Sequence, residues 1–253
     1  MKKHIYFITG TSRGIGAALA EALLKGDNEI HCFSRSGNDQ LQRLAADNGV
    51  RLVDHKLDLS KAQASVNYLN GLFQKIKQEK IHSLTLVHNA GLLEPIGKIG
   101  SGNDLKTLEK GLVVNLVTPV LITEQFVQRF QDWPLPKKIL NISTGAARNP
   151  YISWNMYCSS KAGFDMHAQV LAEEQQGQEH PIKVLALAPG VVDTKMQDLI
   201  RTKTEDQFPM LQRFVELKEN GDLVDPQTVA ANIIQLLASD DYGKEVLMDL
   251  RNN

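Results

Sequence analysis

Short apolar runs alternate with longer amphipathic segments along most of the chain. Several of these runs are almost continuous in isoleucine, valine and leucine, which is typical of strands buried on both faces of a sheet. The runs that we interpret as strands are Ile5–Ile8, Glu29–Ser34, Arg51–Lys56, Ser83–His88, Lys138–Ile142, Lys183–Ala188 and Glu245–Met248.

Apolar residues recur at helical spacing between these strands. Five helices are predicted. Two are marked by apolar stripes, from Ile15 to Leu24 and from Val66 to Ile76, and the other three cover Leu112–Phe130, Tyr157–Glu174 and Thr228–Ala238. Alternating strands and helices predict an α/β fold, a Rossmann-type doubly wound parallel sheet of about seven strands with helices on both faces. No linker or repeat interrupts this pattern, so we expect residues 1–253 to form a single domain.

Two segments depart from the alternation. Residues 92–104 contain Pro95 and several glycines, and residues 201–222 are polar and contain Pro209 and Gly221. Long irregular segments of this kind often border a functional site. We therefore expect a substrate flap at about residues 195–222.

Composition narrows the function classes. Of the 253 residues, 42% are hydrophobic and 23% are charged, and the net charge is −1, so no electrostatic footprint for nucleic acid or an anionic membrane is expected. Cys32 and Cys158 make no disulfide framework, and no histidines have metal-ligand spacing. No continuous apolar stretch approaches the ~20 residues of a spanning helix. We expect a cytoplasmic protein without a metal.

A glycine-rich segment follows the first predicted strand and opens a helix. It reads Gly10-Thr11-Ser12-Arg13-Gly14-Ile15-Gly16. Glycines let the backbone approach a phosphate closely, and a helix N-terminus offers free N–H groups and partial positive charge. In the first βα unit of a parallel sheet, this pattern predicts a dinucleotide site rather than a plain tight turn.

The end of the second predicted strand indicates which dinucleotide binds. Arg35 and Ser36 follow this strand, and no acidic residue occurs before Asp39. An acid at this position would bind a ribose 2′-hydroxyl and repel a 2′-phosphate, whereas arginine accommodates the phosphate. Arg13, in the glycine loop, can approach the same 2′-phosphate from the other side, so the sequence favours NADP(H) over NAD(H).

Tyr157 and Lys161 are four residues apart in a predicted helix. At this spacing the phenol and the ammonium lie on one helix face. A nearby positive charge favours the phenolate, so such a tyrosine can donate and accept a proton near neutral pH. The pair by itself is weak evidence for catalysis, because many surface helices carry a tyrosine and a lysine at this spacing.

In combination with further motifs, the chain resembles the short-chain dehydrogenase/reductase family over essentially its whole length. The motifs are Gly10-x-x-x-Gly14-Ile15-Gly16, Asp58, Asn89-Ala90-Gly91, Asn115, Ser143, Tyr157 with Lys161, and Pro189-Gly190 with Thr194. Three segments resemble the sepiapterin reductase branch, whose bacterial members include enzymes that reduce benzil to benzoin. These segments are Asn141–Ser143, Asn149–Tyr151 and Ala188–Met196.

The resemblance implies roles for four catalytic residues. Tyr157 would protonate the carbonyl oxygen, and Lys161 would lower the pKa of Tyr157 and bind the nicotinamide ribose. Ser143 would donate a hydrogen bond to the substrate oxygen, where hydride addition builds negative charge. Asn115 would hold a water that links Lys161 to solvent.

The resemblance also implies the contacts of cofactor and substrate. The residues expected at NADP(H) are Gly10, Ser12, Arg13, Gly14, Ile15, Gly16, Arg35, Ser36, Asp58, Leu59, Asn89, Ala90, Gly91, Tyr157, Lys161, Pro189, Gly190, Val191, Val192, Thr194 and Met196. It places Ser143 and Tyr157 at the substrate, with Asp249 as the candidate near the C-terminus. Leu93, Trp154, Met196 and Met210 are further substrate candidates because apolar and aromatic side chains suit a flat, hydrophobic carbonyl compound. For Asp249, an aspartate that makes a structural hydrogen bond at a strand end is an equal alternative.

The leading hypothesis is an NADPH-dependent reductase of a small aromatic ketone, diketone or pterin side-chain carbonyl. A 3-oxoacyl-thioester reductase is the alternative enzyme, but in the flap Arg201 and Lys203 are offset by Glu205 and Asp206 and form no basic docking patch. A non-catalytic NADP-binding sensor would not need the proton donor Tyr157. The resemblance also implies a homodimer through the two long helices.

Overall fold

The structure, a computed structural model, describes residues 2–252 and is built on a seven-stranded sheet. The strands are β1 (Lys3–Thr9), β2 (Asn28–Ser34), β3 (Arg51–Lys56), β4 (Ile81–His88), β5 (Lys137–Ile142), β6 (Ile182–Ala188) and β7 (Leu247–Asp249). All neighbouring strands pair in parallel, in the order β3-β2-β1-β4-β5-β6-β7. The predicted doubly wound parallel sheet is confirmed.

Helices cover both faces of this sheet. They are α1 (Gly14–Ala22), α2 (Asp39–Asp47), α3 (Ala62–Phe73), α4 (Leu105–Leu112), α5 (Thr118–Phe130), α6 (Asn155–Glu174), α7 (Lys195–Arg201), α8 (Leu211–Glu219) and α9 (Pro226–Ala238). Adjacent strand residues face opposite sides. Phe7 accordingly packs in the core beneath α3, α5 and α6, whereas Ile8 packs beneath α1, α2 and α9.

The structure extends the helical prediction in two places. The helix predicted from Leu112 already begins at Leu105, because Asp104 caps this end by accepting a hydrogen bond from the Thr107 N–H at 2.8 Å. Residues 201–222, which were expected to be irregular, contain α8, and α7 forms the start of the flap. These helices are too short to show a long apolar stripe in the sequence.

The helical stretch Leu105–Phe130 has a mean hydropathy of 1.2 over its most apolar window. Among the described residues it is the one helix long and apolar enough, by length and composition, to cross a membrane. Its hydropathy has another explanation, since Ile122, Phe126 and Phe130 are completely buried against the sheet. This stretch is a core helix of the domain.

Candidate active site

A cavity of about 730 Å³ lies at the carboxyl edge of the sheet. Its walls are formed by the segments that follow β1 to β6, together with the flap. Ligands of open α/β sheets bind in a crevice at this edge, because all parallel strands end there. Every residue expected at the cofactor lines the cavity except Gly16.

The glycine loop is shaped by close contacts that a side chain would disturb. Gly10 and Gly14 have φ angles of 76° and 60°, in the left-handed region that favours glycine. A Cβ atom at Gly16 would lie 2.3 Å from the Asn89 Nδ2 atom. The Asn89 amide donates to the carbonyls of Thr9 and Gly10 at 2.9 and 3.1 Å. Gly16 therefore permits close packing of α1 on the loop and does not contact the cavity.

One end of the cavity carries charged side chains. Arg13, Arg35 and Ser36 are exposed there, and neither arginine forms an ion pair within residues 2–252. Asp58 accepts two hydrogen bonds from Ser60, at 3.0 and 2.8 Å. Burial alone would raise the pKa of Asp58, but the Ser60 bonds and the charge of Arg35 hold this pKa below its ordinary value.

These features fit a nicotinamide dinucleotide. The left-handed glycines and the start of α1 form a backbone cradle of the kind that holds a pyrophosphate. The exposed guanidinium groups lie at one end of the cavity, and Tyr157 and Lys161 line the other. A dinucleotide bound along the cavity would thus place its reactive ring near a proton donor.

Tyr157 and Lys161 lie near the start of α6, and both are buried. Burial raises the pKa of Tyr157 to about 12, although the Thr144 side chain opposes this shift. Burial also lowers the pKa of Lys161 to about 8, against the charge of Asp165. The Lys161 Nζ donates to the Ile142 carbonyl at 2.8 Å. In the free protein, burial outweighs the other influences on the pKa of Tyr157, and the lowering of this pKa by Lys161 stays a prediction.

Ser143 and Thr144 both line the cavity, as expected for Ser143, but the hydroxyl group that bonds to Tyr157 belongs to Thr144. The role predicted for Ser143 therefore fits Thr144 better. The Ser143 Oγ donates to the Asp165 carboxylate, which also pairs with the Arg148 Nε at 3.1 Å. The Thr144 side chain is close enough to Tyr157 to lower its pKa. The backbone is extended at Thr144, so successive side chains point to opposite sides.

Asn115 holds a loop of the site in place. It lies in a π-helical turn, Val113–Val117, a feature often found at functional sites. Its Oδ1 accepts from the Leu92 N–H at 2.8 Å, and its Nδ2 donates to the Leu92 carbonyl at 2.7 Å. The Asn115 Nδ2 also donates to the Ser160 Oγ at 3.2 Å, so this side chain ties the Leu92 loop to α6, and the water bridge to Lys161 stays a prediction.

The other end of the cavity is apolar and aromatic. The Trp154 ring is stacked between Tyr151 and Phe208, at centroid distances of 4.9 and 5.2 Å. Leu93, Trp154 and Met196 line the cavity, as expected for a substrate site. Met210 does not line it and packs against the same aromatic cluster, so its expected substrate contact gains no support from the structure and stays a prediction.

The C-terminal wall of the cavity carries an arginine where the sequence suggested an aspartate. The carboxylate of Asp249 is held by the Arg251 guanidinium, with Nε–Oδ1 and Nη2–Oδ2 distances of 2.9 and 2.5 Å. Asp249 does not line the cavity, whereas Arg251 does. The expected substrate contact of Asp249 is therefore corrected, and the alternative of a structural aspartate is favoured.

Sequence reasoning missed Thr144 and Arg251. Thr144 directly follows Ser143, which the sequence predicts as the donor to the substrate oxygen, and the two hydroxyl groups differ mainly in the direction of their side chains. Arg251 contacts the loops after β5 and β6 across more than sixty residues of chain, a proximity for which the sequence gives no local signal.

Comparisons with known proteins agree with this geometry. The family model of short chain dehydrogenases matches residues 4–205. The benzil reductase ((S)-benzoin forming) of Bacillus cereus is 36% identical over 235 residues, with 93% of this chain and 94% of that protein covered. The sepiapterin reductase of Mus musculus is 34% identical, with coverages of 93% and 92%. The crystal structure of the KRED1-Pglu enzyme has a TM-score of 0.80 at 28% identity, with coverages of 96% and 98%.

The chain belongs to the short-chain dehydrogenase family. It is an oxidoreductase of a family that uses nicotinamide cofactors, and its relatives include reductases of benzil and of sepiapterin.

Proposed function

We propose that this enzyme uses NADPH to reduce the carbonyl group of a small aromatic ketone, diketone or pterin. The observation that carries the proposal is the convergence, in one cavity, of a glycine cradle, the buried pair Tyr157 and Lys161, and an apolar aromatic wall. The names of the relatives, benzil reductase and sepiapterin reductase, support carbonyls of this type.

Bound NADPH would supply the hydride. Tyr157 has a raised pKa, so its phenol is protonated at neutral pH and can give this proton to the substrate oxygen. The Thr144 hydroxyl, next to Tyr157, would donate a hydrogen bond to the same oxygen as negative charge develops. Lys161, on the next turn of α6, would hold the nicotinamide ribose and support the Tyr157 phenol.

Two features support NADPH over NADH. Arg13 and Arg35 both border the cavity, and neither is paired with an acidic group in the described residues. Paired arginines would already be neutralised, whereas exposed, unpaired guanidinium groups can bind a 2′-phosphate bidentately.

The reduction of a 3-oxoacyl thioester remains the second candidate. The flap offers this substrate little electrostatic support, because Arg201 pairs with Asp198 at 2.7 Å. A preference for a 3-oxoacyl thioester over benzil would favour this candidate.

The replacement Tyr157→Phe tests the proposal. It should lower the turnover of NADPH with benzil by about 10²- to 10⁴-fold, because the proton donor is lost. NADPH affinity, measured by fluorescence titration, should change little. Tyr68→Phe is the matched control, since Tyr68 lies on α3 outside the cavity lining and should leave turnover intact.

Other outcomes would contradict the proposal. If the unaltered protein bound NADPH tightly but oxidised it with no carbonyl compound, a sensor would be the better interpretation. If Tyr157→Phe abolished NADPH binding itself, the role of Tyr157 as a proton donor would be refuted.

A further inference from the structure

Arg251 places a guanidinium group beside the reacting end of the cavity. It lies in the short turn Leu250–Asn252 that follows β7, and it lines the same cavity as Tyr157 and Thr144. Its Nη2 atom lies 3.1 Å from where a Cβ atom of Gly145 would be. Gly145 is the residue after Thr144, so the guanidinium adjoins the loop whose hydroxyl faces Tyr157.

The surrounding residues leave room for this side chain. A Cβ atom at Gly190 would lie 3.4 Å from the Arg251 Cγ, and Gly190 has a φ of 83°. Gly145 and Gly190 lie in the segments that follow β5 and β6, and a larger side chain at Gly145 would press on the Arg251 guanidinium. The two glycines therefore form a slot for Arg251.

The guanidinium keeps donors for a ligand. Arginine has five N–H donors, and the two bonds to Asp249 use the Nε–H and one N–H of Nη2, which leaves three. No further hydrogen bond of this guanidinium is found among residues 2–252. The clamp by Asp249 fixes the plane of the group, so its remaining donors are directed before a ligand arrives.

The charge of the pair determines what kind of ligand suits it. The Asp249 side chain is only 9% exposed, and the hydrogen bonds from Arg251 lower the pKa of Asp249. Asp249 therefore stays ionised and neutralises the charge of Arg251. A neutral pair with free donors suits an uncharged carbonyl oxygen better than a carboxylate. The apolar wall around Trp154 suits an uncharged aromatic substrate in the same way.

We propose that Arg251 binds a second carbonyl oxygen of the substrate, on the carbon next to the one that is reduced. The site would then favour vicinal diketones over simple ketones. Thr144 and Tyr157 would hold the reacting oxygen, and Arg251 would hold its neighbour and fix which carbonyl receives the hydride. This inference rests on the proposed function, because it assigns the substrate class of the same site.

Three related substrates distinguish the contribution of the reacting carbonyl oxygen from that of the neighbouring carbonyl oxygen. Benzil carries two adjacent carbonyls, deoxybenzoin keeps the skeleton with one carbonyl, and phenylglyoxylate replaces the second ketone by a carboxylate. In steady-state assays with NADPH, the unaltered enzyme should show its highest kcat/KM with benzil. Arg251→Met keeps the apolar stem but removes the donors, and should lower kcat/KM for benzil by about 10- to 100-fold. The value for deoxybenzoin should change by less than about threefold.

Two further variants sharpen the test. Arg213→Met, on the exposed face of α8, is the matched control and should alter neither substrate. Asp249→Asn leaves the guanidinium without its counter-charge and should raise the ratio of kcat/KM for phenylglyoxylate to that for benzil. NADPH affinity and the melting temperature of each variant verify that cofactor site and fold are intact.

The failures are distinguishable. If Arg251→Met changed benzil and deoxybenzoin by the same factor, or if the unaltered enzyme preferred deoxybenzoin or phenylglyoxylate, the role of Arg251 would be overturned while the carbonyl reductase stood. If the unaltered enzyme reduced none of the three compounds or any other carbonyl, the proposed function itself would fail, and the role of Arg251 with it.

Discussion

Thr144→Val should lower turnover far more than Ser143→Ala does. Valine keeps the branched shape of Thr144 but lacks the hydroxyl next to Tyr157. A hydrogen-bond donor to a developing oxyanion contributes about 10²- to 10³-fold in kcat, or about 3–4 kcal/mol. We therefore expect Thr144→Val to lower kcat in this range. The Thr144 hydroxyl also accepts a hydrogen bond from the Ala146 N–H at 3.2 Å, so the variant should in addition lose about 1 kcal/mol of stability.

Ser143→Ala should act mainly on stability. Ser143 is 4% exposed, and its hydroxyl donates to Asp165, which is itself 4% exposed. Leaving a buried acceptor without one donor costs about 1–3 kcal/mol. The melting temperature of a chain of this size falls by about 2–4 °C per kcal/mol. The Arg148 pair stays in place, so kcat should fall by no more than a few-fold.

The assay combines NADPH consumption with benzil, NADPH affinity and thermal unfolding for each variant. Thr123→Val is the matched control, because it removes a buried hydroxyl that bonds to the His88 ring at 3.0 Å, outside the cavity lining. It should lower stability without changing kcat. A 10²-fold loss of kcat in Ser143→Ala together with normal turnover in Thr144→Val would refute the exchange of roles.

Three further predictions concern the cofactor end and the sheet edge. Arg35→Asp should lower kcat/KM for NADPH relative to kcat/KM for NADH, since a carboxylate repels the 2′-phosphate. Arg43→Asp on α2 is the control and should leave this ratio unchanged. An unchanged ratio in Arg35→Asp would count against the NADP assignment. Burial lowers the pKa of His55 from 6.5 to about 4. As the pH falls from about 6.5 to about 4, the unfolded chain therefore binds a proton at His55 before the folded protein does, and the free energy of unfolding should decrease. Urea unfolding across this range should show a smaller loss for His55→Phe, and an equal loss would exclude this histidine as the cause. Gly16→Ala should destabilise the protein and weaken NADPH binding, because the added Cβ meets the Asn89 amide, and normal binding and melting would contradict that account.

The alternation of strands and helices could be read from the sequence because it depends on local patterns. Buried parallel strands are short and apolar, and the helices between them carry periodic stripes. Once a parallel sheet is accepted, the ends of its strands must meet at one edge. This is why almost every residue expected at the cofactor does line the cavity, from Ser12 to Thr194.

Short helices were harder to predict. The helices α7 and α8 in the flap are held by burial of Phe208 and Phe214 against Trp154, and not by a long repeating pattern of their own. Tertiary packing therefore determined their structure.

The sequence by itself determined the family, the sheet, the glycine cradle and the pairing of Tyr157 with Lys161, because each follows from spacing along the chain. Only the tertiary structure decided which hydroxyl faces the tyrosine, since Ser143 and Thr144 differ in direction and not in chemistry. Burial likewise decided the pKa of Tyr157, because desolvation depends on every element packed around the ring. The structure also brought Arg251 to Gly145 and Gly190 across more than sixty residues of chain, and this proximity places a guanidinium group in the wall of the site.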